Sequence, residues 1–110
     1  MAKEFSTDDD YVVFMQNPPI GFILNVPRDS RNKWDWFKCH RSTCEEIGAR
    51  GAHPERRPWV GPTTYKVFTA TLQELREEFE GRTPPLPSKR YEWTDPSLHC
   101  KVCDPLAAIP

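Results

Sequence analysis

The octet FKCHRSTC, residues 37–44, sets one cysteine at the end of strand-like sequence and a second five positions later. The run that leads into it, KWDWFKC (33–39), alternates Trp34 and Trp36 against Asp35 and Phe37, which predicts a strand delivering Cys39 at its end. From Cys39 to Pro62 periodicity vanishes, and Gly48, Gly51, Pro54, Pro58, Gly61 and Pro62 punctuate the segment. An irregular stretch of that length inside a small domain calls for something that fastens it or a function that needs it. A second thiol pair, Cys100 and Cys103 in HCKVCD (99–104), can supply the fastening.

Upstream, IGFILNV (20–26) places Ile20, Phe22, Leu24 and Val26 on one face and Gly21, Ile23 and Asn25 on the other, the pattern of a half-buried strand closed by Pro27. YVVFM (11–15), rich in β-branched and aromatic residues and stopped by Pro18 and Pro19, reads as a first strand. Residues 1–10, ending in Asp8, Asp9 and Asp10, read as a flexible acidic tail, and residues 11–110 as a single zinc-stabilised domain. Downstream, TTYKVFTA (63–70) returns to strand composition, with Tyr65 and Val67 opposite Lys66 and Phe68.

A helix is predicted next. Thr71 followed by Glu74 is a capping box, Leu72, Leu75 and Phe79 form an apolar stripe, and Gly81 can supply a left-handed end. RTPPLPSK is a stiff connector, KRYEW (89–93) a short last strand, and TDPS a turn into the final cysteines. The order of elements predicts an α+β fold: a small, mainly antiparallel sheet with one helix and long loops, stapled by a zinc site.

Composition bounds the rest. A chain of 110 residues with 37% hydrophobic residues is one domain near the size where cross-links help, and four Trp, three Tyr and six Phe supply much of the buriable area. Residues 1–27 carry a net charge of -3, residues 28–66 carry +4 and residues 67–110 carry -2, so an anion-binding surface can come only from the middle third. There is no secretory pattern in MAKEFSTDDDYVV and no apolar run near the ~20 residues that a spanning helix needs, so a cytoplasmic setting without membrane contact is expected. In that setting four cysteines read as metal ligands or reduced thiols rather than disulfides.

Cys39 and Cys44 form a C-x4-C pair, and Cys100 and Cys103 a C-x2-C pair. Two such pairs complete the four-coordinate tetrahedral set that Zn²⁺ prefers, at about 2.3 Å per sulfur, and a closed set leaves no open position for water. The expected metal ligands are therefore Cys39, Cys44, Cys100 and Cys103. His40 and His99 each adjoin a cysteine, and His53 lies in the irregular segment, so a site of three cysteines and one histidine is the alternative if one thiol points away. Adjacent residues rarely both reach one ion, which assigns His40 and His99 to the surroundings. A buried thiol without chemistry is the bland reading, and redox catalysis is disfavoured because Pro105 leaves no room for a helix after Cys103.

Over CHRSTC and HCKVCD the chain resembles zinc-ribbon and zinc-knuckle proteins. Those proteins usually carry two C-x2-C pairs on short hairpins, often with Gly after the second cysteine. Here the first pair has four intervening residues, Asp104 stands at the Gly position, and 55 residues separate Cys44 from Cys100. The resemblance implies a structural ion and says nothing of a substrate.

The segment ARGAHPERRPW (49–59) carries Arg50, His53, Arg56, Arg57 and Trp59. Arg and Trp dominate protein interfaces, so these five are the candidate partner-binding residues. Arginine forks also match phosphate and an aromatic ring can stack a base, so nucleic acid is the alternative partner; a solvated loop with Trp59 in the core is the bland reading. No phosphate loop, G-x-S-x-G or H-E-x-x-H is present, so an enzyme is not expected. The sequence predicts a small zinc-binding adaptor, regulator or inhibitor that acts on a protein through its loops.

Overall fold

A computed structural model of the chain describes residues 2–17, 19–27, 37–44, 60–61, 64–82, 93, 98–101 and 103–105. Among them the elements run β1 (Lys3–Phe5), α1 (Asp8–Met15), β2 (Phe22–Pro27), β3 (Lys38–Arg41), β4 (Thr64–Thr69) and α2 (Leu72–Arg82). The strands form one sheet in the order β1-β4-β2-β3, with every neighbouring pair antiparallel. The α+β class with an antiparallel sheet is present, with two helices among the described residues where one was predicted.

β2 lies inside the sheet, and both of its faces are covered. Its register pairs Leu24 with Val67 on one side and with Cys39 on the other, so these three side chains share a face. Against that face α2 packs Leu75 and Phe79, joined by Phe37, Trp93 and Leu98. Phe79 meets Phe37 edge to face at 5.8 Å and lies 6.1 Å from Trp93. On the opposite face Ile23 and Phe68 pack with Phe5, Tyr11, Met15, Val60, Cys44 and Cys100. The predicted half-buried strand is therefore buried on both sides. Ile20 does not belong to its apolar face; it precedes the strand and is 91% exposed.

The first fifteen residues depart most from expectation. Lys3–Phe5 are not a tail but an edge strand, paired Lys3 to Phe68, Glu4 to Val67 and Phe5 to Lys66. YVVFM is helical, not extended. Thr7 caps that helix, its Oγ1 accepting from the Asp10 amide at 3.4 Å, and Asp8, Asp9 and Asp10 sit in the first turn, where carboxylates oppose the helix dipole. Tyr11, Phe14 and Met15 then fall on one helical face over Phe5 and Phe68, while Val13 is 74% exposed. Local β propensity loses to the cap and to this packing.

α2 follows its capping box. Glu74 Oε1 accepts from the amides of Ala70 at 3.1 Å and Thr71 at 3.3 Å, and Thr71 Oγ1 accepts from the Glu74 amide at 3.1 Å. The stripe is as predicted, but Gly81 supplies no left-handed end: the helix runs on to Arg82. Arg82 donates to Glu4 at 2.8 Å, to Glu78 at 3.0 Å and to the Tyr65 hydroxyl at 2.6 Å, which fixes the helix end over β1 and β4.

Among the described residues β3 runs Lys38–Arg41, so Cys39 lies within a strand and not at its end. The stretch predicted to lead into it, Trp34 and Trp36 included, lies outside the described residues, as do the PPLP connector and all of the predicted last strand except Trp93, which is buried in a turn. No helix of the described residues is long and apolar enough to cross a membrane.

Candidate metal centre

Alternation along β3 decides which side chains reach the centre. Cys39 pairs with Leu24 and His40 with Ile23, so the two neighbours project to opposite faces of the sheet. His40 therefore stands on the side of α1. A tight turn follows, in which the Cys44 amide donates to the Arg41 carbonyl at 3.0 Å and returns Cys44 to the same side.

Ser42 pins that turn to the entrance of β2. Its amide donates to the Gly21 carbonyl at 2.9 Å, its Oγ accepts from the Gly21 amide at 3.0 Å and donates to the Pro19 carbonyl at 2.7 Å. Gly21 is needed here by contact: a Cβ would stand 2.7 Å from the Phe68 ring and closer still to the Thr69 carbonyl.

The second half of the site comes from the end of the chain. His99 forms an isolated parallel bridge with Cys39, and the Cys100 amide donates to the Cys39 carbonyl at 2.9 Å, so this segment lies alongside β3. The chain then turns back, the Asp104 amide donating to the Cys100 carbonyl at 2.9 Å. Asp104 has φ 45°, a left-handed conformation that favours glycine, and Asp is among the few other residues that tolerate it. Arg41 locks the turn to β3: its amide donates to Cys103 Sγ at 3.2 Å, and its guanidinium to the carbonyls of Cys103 at 2.8 Å and Asp104 at 3.1 Å.

The result is a cluster of His40, Cys44, Cys100 and Cys103 whose donor atoms all lie within 4.8 Å of one another. Three of the four predicted ligands are gathered, and the fourth position is taken by His40 instead of Cys39. Cys39 is fully buried in the cluster under α2, on the other face. Of the two adjacent residues only one faces the cluster, and it is the histidine, not left in the surroundings as expected; the set is the alternative of three cysteines and one histidine, with Cys39 pointing away. Cys39 shares its parity with Phe37, and both enter the apolar cluster under α2; in the sequence Asp35 has that same parity, which hides the signal.

The donor set fits a borderline-soft divalent cation. Three sulfurs and one imidazole match closed tetrahedral zinc sites, and distances below 4.8 Å suit four atoms around one ion. His40 Nδ1 is buried and, like His99 Nδ1 outside the cluster, has no hydrogen-bond partner among the described residues; a cation held by the His40 ring would be one way to satisfy it. Burial, with Lys66 and Lys38 nearby, pushes His40 down to about 3, so the ring is neutral and competent as a ligand. The four cysteines form no disulfide, and the Sγ atoms of Cys44 and Cys100 stand 3.9 Å apart. Burial holds the Cys39 thiol far above its ordinary value, which keeps it protonated. Cys103 is also raised by burial, with the Arg41 amide pulling the other way; a bound cation would reverse that balance by stabilising the thiolate.

His99 is not part of the cluster. Its Nε2 lies 2.7 Å from the Trp93 carbonyl and its ring meets Trp93 edge to face at 4.8 Å, which seats the chain just before Cys100. The candidate partner-binding residues Arg50, His53, Arg56, Arg57 and Trp59 lie outside the described residues. The ends of their segment do not: Cys44 is in the cluster, and the Val60 amide donates to Asp8 Oδ1 at 3.0 Å. No protein-family model, no curated protein and no solved structure matches this chain.

Proposed function

We propose that the chain is a small zinc-stabilised interaction module that binds a protein partner through the segment between Cys44 and Val60. The observation that carries this reading is the convergence of His40, Cys44, Cys100 and Cys103, because one of those donors is also the base of that segment. Zinc is the cation best suited to three sulfurs and an imidazole, and four protein donors make its role structural, not hydrolytic. Cys44 and Val60 both pack into the cluster over Ile23 and Phe68, so the segment leaves and rejoins the body at fixed points. Arg50, Arg56, Arg57 and Trp59 lie between them, the residue types that anchor protein interfaces.

The test begins with elemental analysis of the purified chain. A strong chelator or Cys103→Ser should then lower the melting temperature, because the free energy of metal binding is part of the folding free energy. Partner capture should depend on zinc and should be lost in Arg56→Glu, Arg57→Glu with zinc content unchanged. A melt indifferent to chelator rejects the structural ion. The net charge of +4 over residues 28–66 favours nucleic acid as the second reading. Binding of generic oligonucleotides that weakens steeply with salt would select it, since phosphate contacts release counterions.

A further inference from the structure

The four donors differ in their access to solvent. His40, Cys44 and Cys100 are buried, at 7%, 3% and 8% exposure, whereas Cys103 is partly exposed on the turn that Arg41 holds. Cys39, on the far face, is completely enclosed. An oxidant small enough to diffuse to the surface therefore meets Cys103 before any other described thiol. A metal-bound cysteine is already a thiolate, the form that reacts. Cys100 sits on the same five-residue turn, closed by the Asp104 amide, with its sulfur less than 4.8 Å from that of Cys103.

We propose that this centre is an oxidation-sensitive latch, in which peroxide attack at Cys103 and closure of a Cys100–Cys103 disulfide expel the ion. The inference rests on the zinc reading above. The Cys103 thiolate attacks hydrogen peroxide; an S–O bond forms, the O–O bond breaks, and the departing hydroxide takes a proton from solvent to become water. The Cys100 thiolate then attacks the resulting sulfenic acid; an S–S bond forms as the S–O bond breaks, and the second hydroxide is protonated in turn. Two electrons pass from the two sulfurs to peroxide, two protons come from solvent, and two waters form. Of the cluster only His40 and Cys44 would then remain as donors, and two protein donors would not hold a zinc ion.

The consequence is specific to this fold. Cys44, at the start of the segment that carries Arg50, Arg56, Arg57 and Trp59, loses its tie to the C-terminal turn. Oxidation thus acts on the same segment that the proposed function assigns to partner binding, and reduction with zinc present restores it.

The experiment uses the full chain, shown by elemental analysis to contain zinc. Hydrogen peroxide is added, zinc release is followed with a colorimetric chelator, and the cysteines are mapped by peptide mass spectrometry with a sulfenic-acid trap. The expected result is stoichiometric zinc release, trapped sulfenic acid at Cys103, a Cys100–Cys103 disulfide, and Cys39 alkylated only after denaturation. Cys103→His keeps a four-donor set without the exposed thiolate and should slow release by about tenfold or more, because the remaining thiolates are shielded. If that variant fails to hold zinc, the wild-type map decides. Zinc present but retained under peroxide, or a disulfide other than Cys100–Cys103, overturns the latch and leaves the zinc reading standing. Absence of zinc in the fresh protein overturns both.

Discussion

Cys39 and His40 are adjacent in the chain, yet truncating each should have a different effect. His40→Ala removes a donor from the cluster and should weaken zinc affinity by more than about 100-fold, beyond the loss typical when only a supporting partner of a ligand is removed. Cys39→Ala removes a buried sulfur under α2 and should cost about 1–2 kcal/mol of stability while zinc content stays unchanged. Chelator competition and denaturant melts on the two variants separate these outcomes. Equal zinc loss in both would reject the assignment of faces. The thiols alone suggested four cysteines because spacing in sequence shows which donors are near, whereas the pleat of β3 shows which can turn inward.

Lys66 is a second residue whose surroundings set its chemistry. It is 5% exposed, donates to Asn25 Oδ1 and lies 5.8 Å from the Tyr11 ring centre. Burial lowers it from 10.5 to about 8, with Asp8 opposing the shift. Below both values the folded and unfolded chains each carry the proton, and the full cost of burying the charge is present. Between them the unfolded chain keeps a proton that the folded chain has released, so this group's contribution to stability rises with pH by up to about 3 kcal/mol. Comparison with Lys66→Met at each pH cancels the other titrating groups. The stability of the natural chain relative to the variant should rise from about pH 7.5 to about pH 10 in urea melts, and a flat difference would contradict the burial of a titrating amine.

At the scale of elements the two helices make a useful contrast. α2 was legible because its signals are local and agree: Thr71 and Glu74 satisfy each other's backbone amides, and Leu72, Leu75 and Phe79 repeat at helical spacing. Thr71→Ala should therefore cost about 1 kcal/mol in a thermal melt, through the loss of the side-chain acceptor for the Glu74 amide. α1 was not legible because Val12 and Val13 favour strands, and the features that override them, the Thr7 cap and the acidic first turn, fell in what read as a tail. Its apolar stripe of Tyr11, Phe14 and Met15 has helical spacing but spans little more than one turn. That is too short for periodicity alone to separate helix from strand.

On the scale of the molecule, the sheet has two unlike sides. One is covered by α2 and by aromatic and aliphatic side chains; the other is shared between α1 and the cluster of sulfur and imidazole. The class and the gathering of Cys44 with Cys100 and Cys103 followed from sequence because metal chemistry links positions regardless of the distance between them. The sheet order did not, since placing β1 beside β4 depends on contacts between residues more than sixty positions apart. The candidate partner-binding residues Arg50, His53, Arg56, Arg57 and Trp59 lie outside the described residues, so for them composition marks residue types suited to an interface without showing what they face.

The pairing of Glu4 with Arg82 joins the start of the described chain to the end of its second helix. Anything that trims the leading amino acids, or a fusion tag that pulls them off the sheet margin, would remove a fastening for a helix almost eighty positions away. An affinity handle should accordingly stand behind a spacer ahead of Lys3, leaving that edge strand intact.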